Sequence, residues 1–353
     1  MIHHKLRLTA FVKLGAFFQE FCQYANNNAN SSKNDISWKE DFLEIVESAK
    51  HHNGWFTKEN VLLSIESWGN LLTEENLNTW LKNYDLSTNK EKKVALILAG
   101  NIPLVGFHDF LTVLITGNKA LVRLSSNDKI IFPFIAKYLV FVEPTLKEEI
   151  VFTEGKLENF DAVIATGSNN TARYFEHYFS KGPNIIRKNR YSVAVLTGNE
   201  TKEELKALGD DIFMYYGLGC RSVSKLFVPK GYNFDTFYKS IYENHPIINQ
   251  NKYANNYDYN KAVYLMSEFK ILDNGFLMLK EDTSYGSPIA TLFYEEYNSL
   301  EELKKTLKTD EEKLQCIVSR NFTKDEITFG KTQKPQLSEY ADHIDTVSFL
   351  ITI

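Results

Sequence analysis

The chain has 353 residues, is 43% hydrophobic and 24% charged, and carries a formal net charge of −5, which excludes a disordered chain and leaves room for two or three domains with sizeable cores. Its 40 basic residues are scattered rather than gathered into a stripe, which excludes the electrostatic footprint of a nucleic-acid binder. Three dispersed cysteines (Cys22, Cys220, Cys316) exclude a disulfide framework or a zinc site, and the lack of a signal-like start or a membrane-length apolar run predicts a cytoplasmic protein with free thiols.

From Lys5 to Phe21 the apolar residues Leu6, Phe11, Leu14, Phe17, Phe18 and Phe21 recur at helical spacing, and the polar stretch from Asn26 to Asp35 reads as a loop. Ser37 with Glu40 reads as a capping box ahead of Phe42, Ile45 and Val46, and Asn60 to Leu81 reads as a continuous helix anchored by Trp68 and Trp80. Residues 1–90 are therefore expected to be helical. At Lys93 the period changes. Val94 to Leu98 is a buried-strand run, followed by a helix from Phe107 to Leu114, a strand from Ala120 to Leu124 and a helix from Ile130 to Phe141. Strands at Ile150 to Phe152, Asp161 to Ala165 and Val193 to Leu196, with a helix from Asn170 to Phe179, continue the alternation. It predicts a mainly parallel α/β sheet covered on both faces.

Thr201 with Glu204 is a second capping box, opening a helix to Tyr215 and a second α/β region with strands near Leu226 and Ile289 and helices near Phe234 and Leu303. The tail from Asp345 to Ile353 is β-branched and apolar, so it is expected to be a strand that pairs with a sheet of this chain or of a second subunit.

Chemistry gathers in a few loops. Cys220 lies in Tyr216-Gly217-Leu218-Gly219-Cys220-Arg221-Ser222, where glycines let another backbone approach the thiol and the arginine favours the thiolate; a small buried hydrophobe is the alternative reading. Leu98-Ala99-Gly100-Asn101-Ile102-Pro103 leaves the first strand at its carboxyl end, where open α/β sheets bind ligands, and Asn101 could offer its amide to an oxyanion. An ordinary turn would use the same residues. Thr166-Gly167-Ser168-Asn169 opens a helix and could receive a phosphate, and Arg123 with Ser126 ends the second strand as a phosphate contact or a solvated strand end. The pairs His3-His4 and His51-His52 have no metal-ligand spacing, and no metal is expected.

In order along the chain, AGNIPLVG at 99–106, KALVRLSSND at 119–128, ATGSNNTAR at 165–173, KNRYSVAVL at 188–196 and GLGC at 217–220 resemble the aldehyde dehydrogenase superfamily. Within it they are most similar to the LuxC-type acyl-CoA reductases, whose ending is matched by FGKTQKP at 329–335 and YADHIDT at 340–346. The resemblance implies a Rossmann-type NAD(P)-binding domain at 91–198, an α/β catalytic domain at 199–330 and a carboxyl-terminal segment at 331–353 ending in the apolar strand. It implies Cys220 as nucleophile, Asn101 as oxyanion-hole donor, Thr166, Gly167 and Ser168 under the cofactor pyrophosphate, and Gly100, Arg123, Ser125 and Ser126 as further cofactor contacts. Ser126 falls where many NAD-preferring relatives have a glutamate, so NADPH is expected, with NADH as the alternative.

Two departures carry information. Arg187 stands where aldehyde-oxidising relatives keep the glutamate that activates water, and the family's Glu-x-Phe-Gly-Pro element is blurred as Thr283-Ser284-Tyr285-Gly286-Ser287-Pro288, with Asp282 one place from the acidic position. The resemblance thus implies reduction of an acyl-CoA or acyl-carrier thioester to the aldehyde through an acyl-Cys220 intermediate. An aldehyde-oxidising dehydrogenase and a catalytically silent scaffold subunit are the alternatives. A homo-oligomer built through the apolar tail would also fit.

Overall fold

Apolar side chains at every third or fourth position place the first helices. The computed structural model describes residues 2–26, 36–87 and 89–353; most of the loop expected before Ser37, from 27 to 35, lies outside the described residues, as does the side chain of His3. Helix α1 (Ile2–Ala25) buries Phe11, Leu14, Phe18 and Phe21. Helix α2 (Ile36–His52) begins before Ser37, so Ser37 stands inside the helix and forms no capping box. The long helix expected from Asn60 to Leu81 is two, α3 (Lys58–Leu71) and α4 (Glu74–Leu81). The hydroxyls of Thr57 and Thr73 accept from the N–H groups of Asn60 and Asn76 and give each helix its own start.

An all-parallel sheet follows, with elements β1 (Lys93–Ile97), α5 (Phe107–Ile115), β2 (Lys119–Arg123), α6 (Ile131–Val142), β3 (Ile150–Phe152), β4 (Ala162–Thr166), α7 (Asn169–Phe179) and β5 (Asn184–Arg187). Its order is β3-β2-β1-β4-β5, so the chain works outward from β1 in one direction and then crosses back to β4, and the switch point falls between β1 and β4. The amino-terminal helices share this unit's core: Phe17 stacks on Tyr138 of α6 at 4.2 Å and Phe42 on Phe134 at 4.4 Å between ring centroids.

The remaining strands form a separate six-stranded sheet. Its elements are β6 (Tyr191–Val195), α8 (Lys202–Phe213), β7 (Val223–Pro229), α9 (Asp235–Ser240), α10 (Asn251–Met266), β8 (Ile271–Asp273), β9 (Met278–Glu281), β10 (Thr291–Tyr297), α11 (Leu300–Thr309) and β11 (Leu314–Val318), in strand order β11-β6-β7-β10-β9-β8. All its pairs are parallel except β8 with β9. Strand β6, expected with the first sheet, pairs instead with β7 and β11, which bury Ser192 to Val195 between them. Helix α8 opens on the Thr201 and Glu204 capping box as read from the sequence.

The chain divides into two compact units, Met1–Lys188 with Gln336–Ile353, and Asn189–Pro335. The changeover falls after Lys188 rather than at 198, and again after Pro335 rather than at 330. The tail is not a strand. Residues Thr346–Thr352 form helix α12, capped by the Asp345 carboxylate on the Ser348 N–H, and its Val347 and Leu350 are fully buried in the first unit's core. Capping and burial override β-branched propensity here. No helix among the described residues is long and apolar enough to cross a membrane.

Candidate active site

Parallel strands end on one edge, so the first unit gathers the loops after β1, β2 and β4 at the carboxyl edge of its sheet. This brings Gly100, which precedes Asn101, beside Ser125: a Cβ at Gly100 would lie 2.7 Å from both the Cβ and Oγ of Ser125, so only glycine fits. Ser125 accepts the Asn127 N–H on its Oγ at 3.2 Å and the Asp128 N–H on its carbonyl at 3.1 Å, which shapes the loop that carries Ser126. Asp128, 3% exposed, went unnoticed in the sequence because it reads as one more turn residue. Burial pushes its carboxyl up to about 7, with the Leu104 N–H pulling it down in part.

Arg123 and Ser126 line a cavity of about 530 Å³, together with Lys129, Phe152, Thr153 and Glu154. Its wall is apolar at Phe152 and cationic at Arg123 and Lys129, although Lys129 also pairs with Glu154 at 3.0 Å. At the end of β2 in a sheet of this order, such a wall suits an adenosine and a phosphate on its ribose. The Thr166-Gly167-Ser168 turn is more committed. The Gly167 N–H donates to the Arg187 carbonyl at 3.2 Å, and the Ser168 Oγ accepts from the Thr171 N–H at 3.3 Å as the N-cap of α7. A phosphate there would draw on the first turn of α7 and its dipole rather than on these two groups.

In the second unit, Cys220 is exposed, whereas Cys22 and Cys316 are buried, and burial with Glu66 nearby pushes the Cys22 thiol up to about 12. The approach to Cys220 is strained: Tyr215, Tyr216 and Gly217 take successive φ values of 54°, 59° and 74°, a left-handed run that costs of order 1–3 kcal/mol at each non-glycine residue. Neighbours hold the turn. The Ser192 hydroxyl donates to the Cys220 carbonyl at 2.9 Å, the Ser222 N–H closes the turn on the Gly219 carbonyl at 3.0 Å, and the Gln333 amide donates to the Ser222 hydroxyl at 3.2 Å. Arg221 donates through Nε to the Thr332 carbonyl at 2.5 Å. Asp211 in turn accepts from the N–H groups of Gly330 and Thr332 and from the Thr332 hydroxyl, at 2.6, 2.9 and 2.8 Å. The 329–335 row thus serves as the brace of the cysteine turn, a part that no local pattern gives Asp211 or Ser192.

Arg187 ends β5, a strand missed in the sequence because four residues with a polar end show too little alternation. Its guanidinium is ion-paired with Asp109 of α5 and donates to the Thr346 hydroxyl at 3.1 Å, with both charged side chains almost wholly buried. Asp282 is also engaged. It pairs with Lys280 and accepts the Ser284 N–H at 2.8 Å; these contacts outweigh its partial burial and hold its carboxyl below the usual range.

A family model described as acyl-CoA reductase (LuxC) matches residues 21–243. No curated protein sequence matches the chain. Among solved structures, betaine aldehyde dehydrogenase from Staphylococcus aureus, in complex with NAD+, is similar at 12% identity with a TM-score of 0.59, over 93% of this chain and 76% of that one. Aldehyde dehydrogenase 21 from Physcomitrella patens is similar at 11% identity and a TM-score of 0.58, over 89% and 76% of the two chains. The aldehyde dehydrogenase KauB from Pseudomonas aeruginosa follows at 12% identity and 0.55, over 94% and 77%. The fold is that of the aldehyde dehydrogenases, as the sequence segments implied.

Proposed function

The chain belongs to the LuxC family of acyl-CoA reductases, and from that premise we propose that it reduces an acyl thioester to the aldehyde through an acyl group carried on Cys220, with NADPH as hydride donor. The observation that carries the mechanism is the exposure of Cys220 on its braced, strained turn while both other thiols are buried. The Cys220 thiolate attacks the thioester carbonyl carbon, the carbonyl electron pair moves onto oxygen, and its return expels coenzyme A as a thiolate that takes a proton from solvent. The Asn101 amide donates to that oxyanion, and again to the one formed when the acyl carbon is reduced. Bound NADPH supplies the hydride. Cys220 then releases the aldehyde as the thiohemiacetal C–S bond breaks toward sulfur. Arg187, tied to Asp109, supplies no carboxylate to activate water, so the acyl group survives until reduction.

A nicotinamide cofactor is supported by the NAD+ complex of a dehydrogenase of the same fold and by the Gly100 approach and the cavity at Arg123. Preference for NADPH is supported by Arg123 and Lys129 on the cavity wall with Ser126 in place of a carboxylate. Arg123→Ala is expected to raise KM for NADPH about tenfold or more while changing KM for NADH little; equal changes for the two cofactors would remove the 2′-phosphate contact. The reaction itself is tested by following NADPH loss and aldehyde release with a series of acyl-CoA thioesters. Asn101→Ala should lower kcat about a hundredfold, and an unchanged kcat would take Asn101 out of the oxyanion site.

A further inference from the structure

We propose that Asn53 and Ser64 are positioning residues that hold the loop carrying Asn101, which gives the amino-terminal helices a part in catalysis; this rests on the reading of Asn101 as the oxyanion donor. Two carbonyls of the loop from 99 to 106 are each met by a buried side chain of a different element. The Asn53 amide, just past α2, donates to the Gly100 carbonyl at 3.3 Å. The Ser64 hydroxyl, midway along α3, donates to the Pro103 carbonyl at 2.9 Å. These residues are 7% and 4% exposed.

The bonds flank Asn101 on both sides. Gly100 and Pro103 are held at their carbonyls, and Leu104 is held in a left-handed conformation, φ 57°, that a leucine does not keep unless its surroundings impose it. Asn53 is itself fixed, since its Oδ1 accepts the Trp55 N–H at 3.1 Å and its own N–H donates to the Ala49 carbonyl at 2.9 Å. Ser64 sits between the fully buried Val61 and Ile65 of α3. The helices thus present two donors at fixed places to a loop whose only chemical residue is Asn101. An oxyanion donor has to be in place before charge develops, because its value is lost to any reorganisation during the reaction.

The test is steady-state kinetics on the full chain with an acyl-CoA and NADPH for Ser64→Ala, Ser64→Thr and Asn53→Ala, alone and combined with Asn101→Ala. Ser64→Ala and Asn53→Ala are expected to lower kcat about tenfold with KM for both substrates within about twofold of wild type. Ser64→Thr, which keeps the donor in place, should restore most of it. In the Asn101→Ala background the same changes should cost nothing more, because the donor they position is gone. Equal losses in both backgrounds, or losses that follow melting temperature with no rescue by Ser64→Thr, would show a merely structural role and overturn the proposal. A crippling Asn101→Ala with a silent Ser64→Ala and Asn53→Ala would overturn it alone. A silent Asn101→Ala would overturn the oxyanion reading and this proposal with it.

Discussion

On the proposed mechanism, Cys220→Ala is expected to abolish thioester-dependent NADPH consumption, a fall on the order of 10⁴-fold or more, since removal of the proposed nucleophile would leave only binding and the oxyanion donor. The variant should fold as wild type, because the surrounding turn is held through the Cys220 carbonyl and through Ser222 and Arg221. Mass spectrometry gives the complementary result. Wild-type protein mixed with an acyl-CoA and no reductant should gain the mass of one acyl group at Cys220, and the variant none. Cys22 and Cys316 are buried and should stay unmodified throughout. An adduct on either, or turnover that survives in the variant, would move the chemistry away from Cys220.

The second large effect concerns stability. Arg187→Ala is expected to destabilise the first unit by roughly 3–5 kcal/mol, since it leaves the Asp109 carboxylate buried without its counter-charge. In thermal melts this is a fall of about 10 °C or more. The double variant Arg187→Met with Asp109→Leu should recover much of the loss, because well-packed apolar pairs replace buried ion pairs at little cost. Arg187→Glu should be the worst of the set. It would restore the residue type that oxidising relatives use for hydrolysis, yet here it would bury two carboxylates side by side. Acyl-enzyme hydrolysis gained by Arg187→Glu without loss of stability would show that this position lies outside the buried pair.

Much of the architecture could be read from local pattern. The alternation from Lys93 to Phe179 gave the parallel sheet because each strand is short, apolar and followed by a helical period, and the Thr201 box marked α8 because both its partners are present within four residues. The errors came where tertiary contacts decide. Ser37 and Glu40 have the right spacing for a cap, but the helix starts ahead of them. The tail has strand-like residues, but Asp345 caps it and Val347 and Leu350 find a helical seat on the core. Strand β6 follows β5 by only three residues, so no sequence cue marks the change of sheet between them. The candidate site divides in the same way. Cys220 and Asn101 belong to loops with recognisable composition and Arg123 to the end of a strand, whereas Asp211, Ser192, Asn53 and Ser64 act through backbone groups far along the chain, which no spacing rule connects.

The return of the last residues to the first unit has a consequence for synthesis. Residues 189–335 form a contiguous unit, while 1–188 needs 336–353 to complete its core. On the ribosome the half that carries Cys220 therefore has all its parts before the half that carries Asn101 does, although the latter begins first. Until α12 arrives, the nascent sheet waits with the apolar seat of Val347 and Leu350 uncovered and the Arg187 contact to Thr346 unmade. Such a waiting surface is where a nascent chain is open to aggregation and to chaperones. The order of appearance of Asn101 and Cys220 is thus the reverse of the order in which their units are sealed.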